Sequence, residues 1–384
     1  MMTLIVFLLV LSVLVLVHEF GHFFVARRFK IRIEEFGLGF PPRAIGFYKN
    51  KFGKRIKVQG TRSFESLESS KDEKKHPKKG STIYSLNWLP LGGFVKIKGQ
   101  DGDNADDNDS FASKPIYQRA LVLVAGVVMN VILAWFLFSF GYMVGLPQTT
   151  DDLGKNARVS EQSVLVADVL EDSAAFKAGF ESGDMILEIE GEKIETEKEL
   201  QDIISKRAEL ETNILISRNG EELRITASPE KSGDRGILGI SIFSAGKVSY
   251  PFFSAFIEGA KTTAWVLEAI FLGFIGLFRD MFSGVAVGDQ FAGPIGIANI
   301  TGEAAKLGFV YLLQFTALLS LNLAILNILP FPALDGGRLV FLLVEKIKGR
   351  PVKKAIENLM NNIGFLLLII LIIFITIKDV IKLF

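Results

Sequence analysis

The chain has 384 residues, 49% of them hydrophobic and 22% charged, with a mean hydropathy of +0.36, which excludes an ordinary soluble globular protein. It contains no Cys, so disulfides and thiolate metal sites are excluded and any metal must be held by nitrogen and oxygen. The formal net charge of +1 hides two opposed blocks: residues 26–119 carry 20 Lys+Arg against 11 Asp+Glu, and residues 147–250 carry 12 against 21. Such blocks belong on opposite sides of a membrane rather than on nucleic acid, and the basic one belongs in the cytoplasm.

The first run, Thr3 to Val17, continues past a His-Glu pair to Ala26, and as a helix it reaches across a bilayer. No Lys or Arg precedes it, while Arg27, Arg28, Lys30 and Arg32 follow. That order argues for an uncleaved span with its N-terminus outside, not a signal peptide. Within the basic block, Gly80 to Gly99 offers two β-like runs around Pro90 and Gly92-Gly93. A re-entrant hairpin there could pair its edge with an extended peptide, or merely pack. Asp101 to Asp109 resembles a calcium loop but lacks its glycine and its closing glutamate, so it reads as an acidic linker. Ala120 to Val144 is the second span, and Asn130 within it is a candidate for interhelical hydrogen bonding.

Residues 160–230 read as a small α+β insertion. Ser163 to Leu170 is a strand, and Ser173 and Gly179 bracket a short helix. Met185 to Ile189 is a strand turned at Glu190-Gly191, and Thr196 with Glu199 forms a capping box. Asn213 to Arg218 and Glu222 to Ala227 are joined by Asn219-Gly220, a hairpin signal. Thr262 to Phe282 is apolar but carries Glu268, Arg279 and Asp280, which suits an amphipathic helix at the outer interface. Phe309 to Leu329 and Ile363 to Ile377 are the third and fourth spans. The expected fold is thus a polytopic α-helical membrane protein of about four spans with an inserted extracytoplasmic domain. Its segments are 1–150 (N-terminal membrane core), 160–230 (insertion), 231–308 (linker with an interfacial helix) and 309–384 (C-terminal membrane core).

His18-Glu19-Phe20-Gly21-His22 carries the chemistry. Positions i and i+4 of a helix share a face, so both imidazoles can reach one divalent ion, and Glu19 can take a proton from water beside it. His76 lies in a basic loop and is expected to be inert. A catalytic zinc wants a third protein ligand. Asp335, after Pro330 and Pro332, is the candidate; capping the helix that follows is its alternative role. A helix Phe309 to Leu329 running in the same direction as the first delivers Asp335 to the side where His18 and His22 lie.

HEFGH in the first span, AGVVMN in the second, NILPFPALDGGRL after the third and VLEDSAAFKAGFESGDMILEIEGEKI in the insertion together resemble the site-2 protease family of intramembrane zinc metalloproteases. Within that family the likeness is to the bacterial RseP/RasP group, with a single PDZ domain. The resemblance implies one Zn2+ per chain held by His18, His22 and Asp335, with Glu19 as catalytic acid/base. It also implies substrate contacts at Asn322 and Asn327, and at Gly92 and Gly93 of a re-entrant hairpin. Implied partners are the lipid bilayer, single-span substrates such as anti-sigma factors and remnant signal peptides, and an upstream site-1-type protease. The implied place is the inner membrane, with the PDZ domain outside and the active site near the cytoplasmic face. A PDZ-bearing scaffold with a structural metal would lack a reason for Glu19 beside the ligands, and a metal transporter would need polar residues continuing across the spans rather than ligands clustered at one depth.

Overall fold

A computed structural model describes residues 2–61, 64–68, 72–78, 80–100, 102, 105–150, 153–218, 220–233, 235–283 and 292–381. Asn219 of the expected hairpin turn and Asp101, Asp103 and Asn104 of the acidic stretch lie outside them. The chain divides into two units, Met1–Phe138 with Ala260–Phe384, and Ser139–Gly259.

The chain begins with α1 (Met2–Arg28), β1 (Ile33–Lys49), β2 (Arg55–Gly60), the short α2 (Phe64–Glu68), β3 (Ile83–Ile97) and α3 (Ile116–Val144). Then come β4 (Leu146–Thr149), β5 (Arg158–Val169), α4 (Ala174–Ala178), β6 (Met185–Ile189), β7 (Glu192–Lys193) and α5 (Glu197–Ser205). After these follow β8 (Thr212–Arg218), β9 (Glu221–Ala227), β10 (Glu230–Ser232), β11 (Arg235–Ile237) and β12 (Ile240–Ser249). The chain closes with α6 (Phe252–Phe282), α7 (Pro294–Leu307), α8 (Phe309–Ile328), α9 (Asp335–Lys348) and α10 (Lys354–Ile381).

Among the described residues, four helices are long and apolar enough to cross a membrane: α1, α3, α8 and α10. They are the four expected runs; α1, α3 and α10 extend beyond them because flanking residues prolong a helix without belonging to its apolar stretch, while α8 keeps the expected bounds to within one residue. In the first unit α1 and α3 approach closely. A Cβ on Gly21 would lie 2.3 Å from the carbonyl oxygen of Ala125, so the crossing depends on small residues. Below it, Phe23, Ala26, Ile31, Ile33, Ile97, Val122, Leu123 and Leu342 form a buried cluster that ties α1, the β-sheet, α3 and α9 together.

The sheet of this unit has the order β2-β1-β3, but β1 and β3 each double back. Phe36 lies opposite both Val95 and Tyr84, and Gly37 opposite both Phe94 and Ser85. The turn of β3 rests on α1: a Cβ on Gly92 would lie 3.0 Å from Val15, and one on Gly93 3.9 Å from Leu16. Leu86, Trp88 and Leu89, near that turn, are exposed.

The second unit holds a sheet of order β4-β12-β5-β6-β8-β9, with β7 on β6, around a core that includes Val164, Val166, Ile186, Ile189, Ile214 and Ile216. Local signals act here as chemistry requires: Ser173 accepts from the Phe176 N–H at the start of α4 and Gly179 closes it in the left-handed region. Thr196 and Glu199 make a reciprocal capping box on α5. The sheet reaches beyond residues 160 and 230, because β4 and β12 belong to it and β12 pairs with β5 from Arg158 to Val169. Long-range antiparallel pairing leaves no local mark, so the first part of the segment 231–308, expected as a linker with an interfacial helix, contains sheet strands instead. The amphipathic segment also starts earlier, at Phe252, directly after Pro251.

Candidate metal centre

The site is built where α1 passes α3. The 3.6-residue repeat puts His18 and His22 on one face of α1, both buried, at 7% and 6% exposure. His22 Nδ1 lies 2.7 Å from the Val122 carbonyl oxygen. A carbonyl can only accept, so Nδ1 carries the proton and the lone pair of the neutral ring sits on Nε2. That Nε2 lies 3.1 Å from His18 Nε2, so the two ring nitrogens are turned toward one point.

Asp335 closes the triangle. The chain leaves α8, turns through Pro330 and Pro332, and starts α9 at Asp335. The Asp335 Oδ2 lies 3.0 Å from His18 Nε2 and 3.2 Å from His22 Nε2. Leu334 stands at the N-cap position and makes no side-chain cap bond, while the Asp335 carboxylate is turned to the imidazoles.

Two nitrogens and one oxygen, mutually 3.0–3.2 Å apart, come close to the spacing of about 3.4 Å expected between ligands of a tetrahedral ion with bonds of about 2.1 Å. Two imidazoles and a carboxylate are also donors that zinc accepts. The residues therefore fit a zinc ion.

Glu19, one residue along α1, lines the same cavity of about 390 Å3 as His18, His22, Val95, Asn327 and Asp335. Its Oε2 accepts from the Val95 N–H at 3.0 Å, so the arm of β3 beyond the turn fixes the carboxylate. The sequence expectations divide here. His18, Glu19, His22, Asp335 and Asn327 come together. Asn322 does not line the cavity; its amide donates to the Leu318 carbonyl one turn back on α8, at 3.0 Å. Asn at this spacing satisfies its donor within the helix. Gly92 and Gly93 stand at the turn against α1, while their neighbours Phe94 and Val95 line the cavity. His76 lies outside the cluster.

Two residues of α3 stand against the ligands: Gly126, which was not singled out in the sequence, and Asn130, which was expected only to join helices. A Cβ on Gly126 would lie 2.6 Å from His22 Nε2 and 2.8 Å from His18 Nε2, so only a glycine lets α3 pass this close to the ligand atoms. Asn130, fully buried, has its Nδ2 3.4 Å from His18 Nδ1, and its Oδ1 is buried with no hydrogen-bond partner. The side chain thus makes the interhelical contact expected of it, to α1, and its backbone carbonyl adds a second, accepting from Ser320 of α8 at 2.8 Å. The signal for both was the small-residue spacing of AGVVMN against Gly21, which has meaning only once the two helices are paired.

The profile of peptidase family M50 matches residues 6–59 and 73–371. A relative in Bacillus subtilis, "Regulator of sigma-W protease RasP", is 29% identical over 434 residues, covering 100% of this chain and 99% of its own. "Putative zinc metalloprotease CPE1693" of Clostridium perfringens is 32% identical, covering 97% of each chain. "Putative zinc metalloprotease BR1156/BS1330_I1152" of Brucella suis is 32% identical, covering 95% of this chain and 91% of its own. A solved PDZ domain of an SdrC-like protein from Listeria monocytogenes matches 22% of this chain and 92% of its own, at 22% identity and a TM-score of 0.21.

Proposed function

This chain belongs to peptidase family M50 and is a zinc intramembrane protease, and from that premise we propose that it cuts single-span membrane substrates within or beside their membrane segment, with Glu19 as acid/base and His18, His22 and Asp335 as the zinc ligands. The observation that carries this is the convergence of His18 Nε2, His22 Nε2 and Asp335 Oδ2 beside the Glu19 carboxylate in one cavity.

Zinc bound by these three groups supplies a Lewis acid that acidifies water and polarises the scissile carbonyl. Glu19, held by the Val95 N–H, takes the proton of the attacking water and returns it to the leaving amine. Val122 holds His22 in the tautomer that leaves Nε2 free to ligate. Asn130 does the same for His18. Turning its amide over moves no heavy atom far, satisfies the buried Oδ1, and gives His18 Nδ1–H an acceptor.

A helical substrate hides its peptide bonds and must be extended before it is cut. The turn of β3 sits beside Val15 and Leu16 of α1, twelve residues or about 18 Å along the helix from Arg27. That depth, with Leu86, Trp88 and Leu89 exposed, favours a re-entrant hairpin whose outer arm, Gly93 to Ile97, pairs with the unwound substrate. Asn327 contacts substrate from the opposite wall. The surplus of Lys and Arg in residues 26–119 supports a site near the cytoplasmic face of the inner membrane, and the acidic surplus of residues 147–250 supports an extracytoplasmic PDZ domain. Membrane-bound anti-sigma factors and remnant signal peptides, trimmed first by a site-1-type protease, are the substrate class.

The test is Glu19→Gln. Purified full-length enzyme should lose cleavage of a panel of single-span substrates while keeping its zinc. Undiminished proteolysis by that variant would remove Glu19 from the reaction, and loss of zinc with activity would make it a ligand.

A further inference from the structure

A second cavity, of about 830 Å3, lies in the first unit where α1 ends against the sheet, and Arg27, Lys49, Arg55, Lys57 and Lys78 line it without a single acid among the lining residues. Among the described residues none of these five makes an ion pair. Several cations elsewhere in the same unit do: Arg32 with Glu68, Arg43 with Glu35, Lys96 with Glu34, Lys98 with Asp107 and Asp109, Arg119 with Glu345. The Ser81 hydroxyl, also on the cavity wall, has its oxygen buried with no hydrogen-bond partner. A general excess of positive charge on the cytoplasmic side requires basic residues, but not five of them around one cavity with an unpartnered hydroxyl. Like charges brought together repel, and the arrangement is relieved by an anion.

We propose that this cavity binds the phosphate of an anionic phospholipid headgroup. The shared chemistry is a phosphate oxyanion, and three features choose a lipid over free phosphate. Arg27 stands in the last turn of the apolar helix α1, which puts the cavity at the membrane boundary. Arg27 Nη1 reaches the Tyr84 hydroxyl at 3.4 Å. Tyr84 and Phe47, both on the wall, are exposed at 48% and 44%, as aromatic rings are where headgroups meet acyl chains. Beyond Tyr84 the same strand continues to the exposed Leu86, Trp88 and Leu89, an apolar path for the chains. The bound lipid thereby fastens the sheet to the membrane boundary at the base of β3. The proposal stands independently of the assignment of the metal ligands.

The experiment uses the full-length protein in a neutral detergent. Short-chain phosphatidylglycerol and phosphatidylcholine of equal chain length are titrated against it by native mass spectrometry, with inorganic phosphate as a competitor. The intact protein should prefer the anionic lipid by at least about tenfold, and K49Q/R55Q/K57Q/K78Q should abolish that preference. Ser81→Ala should weaken the anionic lipid severalfold without touching the neutral one. Zinc content and unfolding temperature, read alongside, identify a variant that has failed to fold, in which case Ser81→Ala alone carries the test. Equal binding of the two lipids by the intact protein, or an undiminished preference in the quadruple variant, overturns the proposal. Displacement of the lipid by millimolar inorganic phosphate overturns the lipid as its ligand.

Discussion

Gly126→Ala adds one methyl group at the point where α3 faces the ligand atoms. Its Cβ would lie 2.6 Å from His22 Nε2, 2.7 Å from His18 Cε1 and 2.8 Å from His18 Nε2. Ordinary contact begins near 3.4 Å, so rings or helix must move by roughly 0.7 Å, and the rings cannot swing aside without leaving Val122 and Asp335. Metal–ligand distances tolerate about 0.2 Å, so the displacement is several times what a zinc site accepts. Overpacking should destabilise the protein by about 1–3 kcal/mol. Zinc affinity should fall by at least about 10–100-fold, as for loss of an orienting partner, and activity should fall with it. The assay is zinc retention against a graded chelator series, with unfolding temperature in the same detergent. Gly273→Ala is the control: nothing lies within 4 Å of its added Cβ, and the gain in helix propensity, about 1 kcal/mol, should leave the protein as stable or more so. Unchanged chelator resistance in Gly126→Ala would refute the placement of α3 against the two imidazoles.

Asn130→Leu, which removes the acceptor for His18 Nδ1–H, should weaken zinc about 10–100-fold, whereas Asn130→Asp, which keeps an acceptor, should hold zinc nearly normally; equal behaviour of the two variants in the chelator series would deny Asn130 its orienting role. Asp335→Ala should lower zinc occupancy and activity together, measured by metal analysis of the purified protein, and full occupancy would return Asp335 to a purely structural place. In the second unit, Asp184 is buried and takes both Nε and Nη2 of Arg218, at 2.7 and 2.8 Å. Burial pushes its carboxyl up, but Arg218 and the Glu181 N–H more than reverse this and hold it low. A depressed folded value means that the stabilisation is complete above the unfolded pKa of about 3.9 and disappears as pH falls through the lower folded value. Asp184→Asn should therefore cost about 1.5–3 kcal/mol at pH 7 and less as the pH falls below about 4, read by hydrogen exchange of β6 and β8 amides; a cost independent of pH would exclude the ion pair as its source.

Much of this molecule is legible along the chain because its signals are local. An apolar run long enough to span a bilayer, a Ser or Thr before a helix, a Gly after it, and His at i and i+4 act within a few residues, and each gave the element where it stands. His18 and His22 share a face by helix geometry alone, and Glu19 follows from the same turn. What lay beyond the sequence are the contacts between distant segments. Leu146–Thr149 and Ile240–Ser249 join the sheet of the second unit through hydrogen bonds to partners far along the chain, which no periodicity announces. Asn322 and Asn327 look alike in a motif, but the rotation of α8 turns one amide to its own backbone and the other toward the cavity. Asp335 could have capped α9 or met the imidazoles, and only the packing of α8 and α9 against α1 decides between them. Gly126 and Asn130 matter because α3 crosses α1 closely enough for one methyl group to reach the ligand nitrogens, a distance fixed by side-chain volumes on both helices at once.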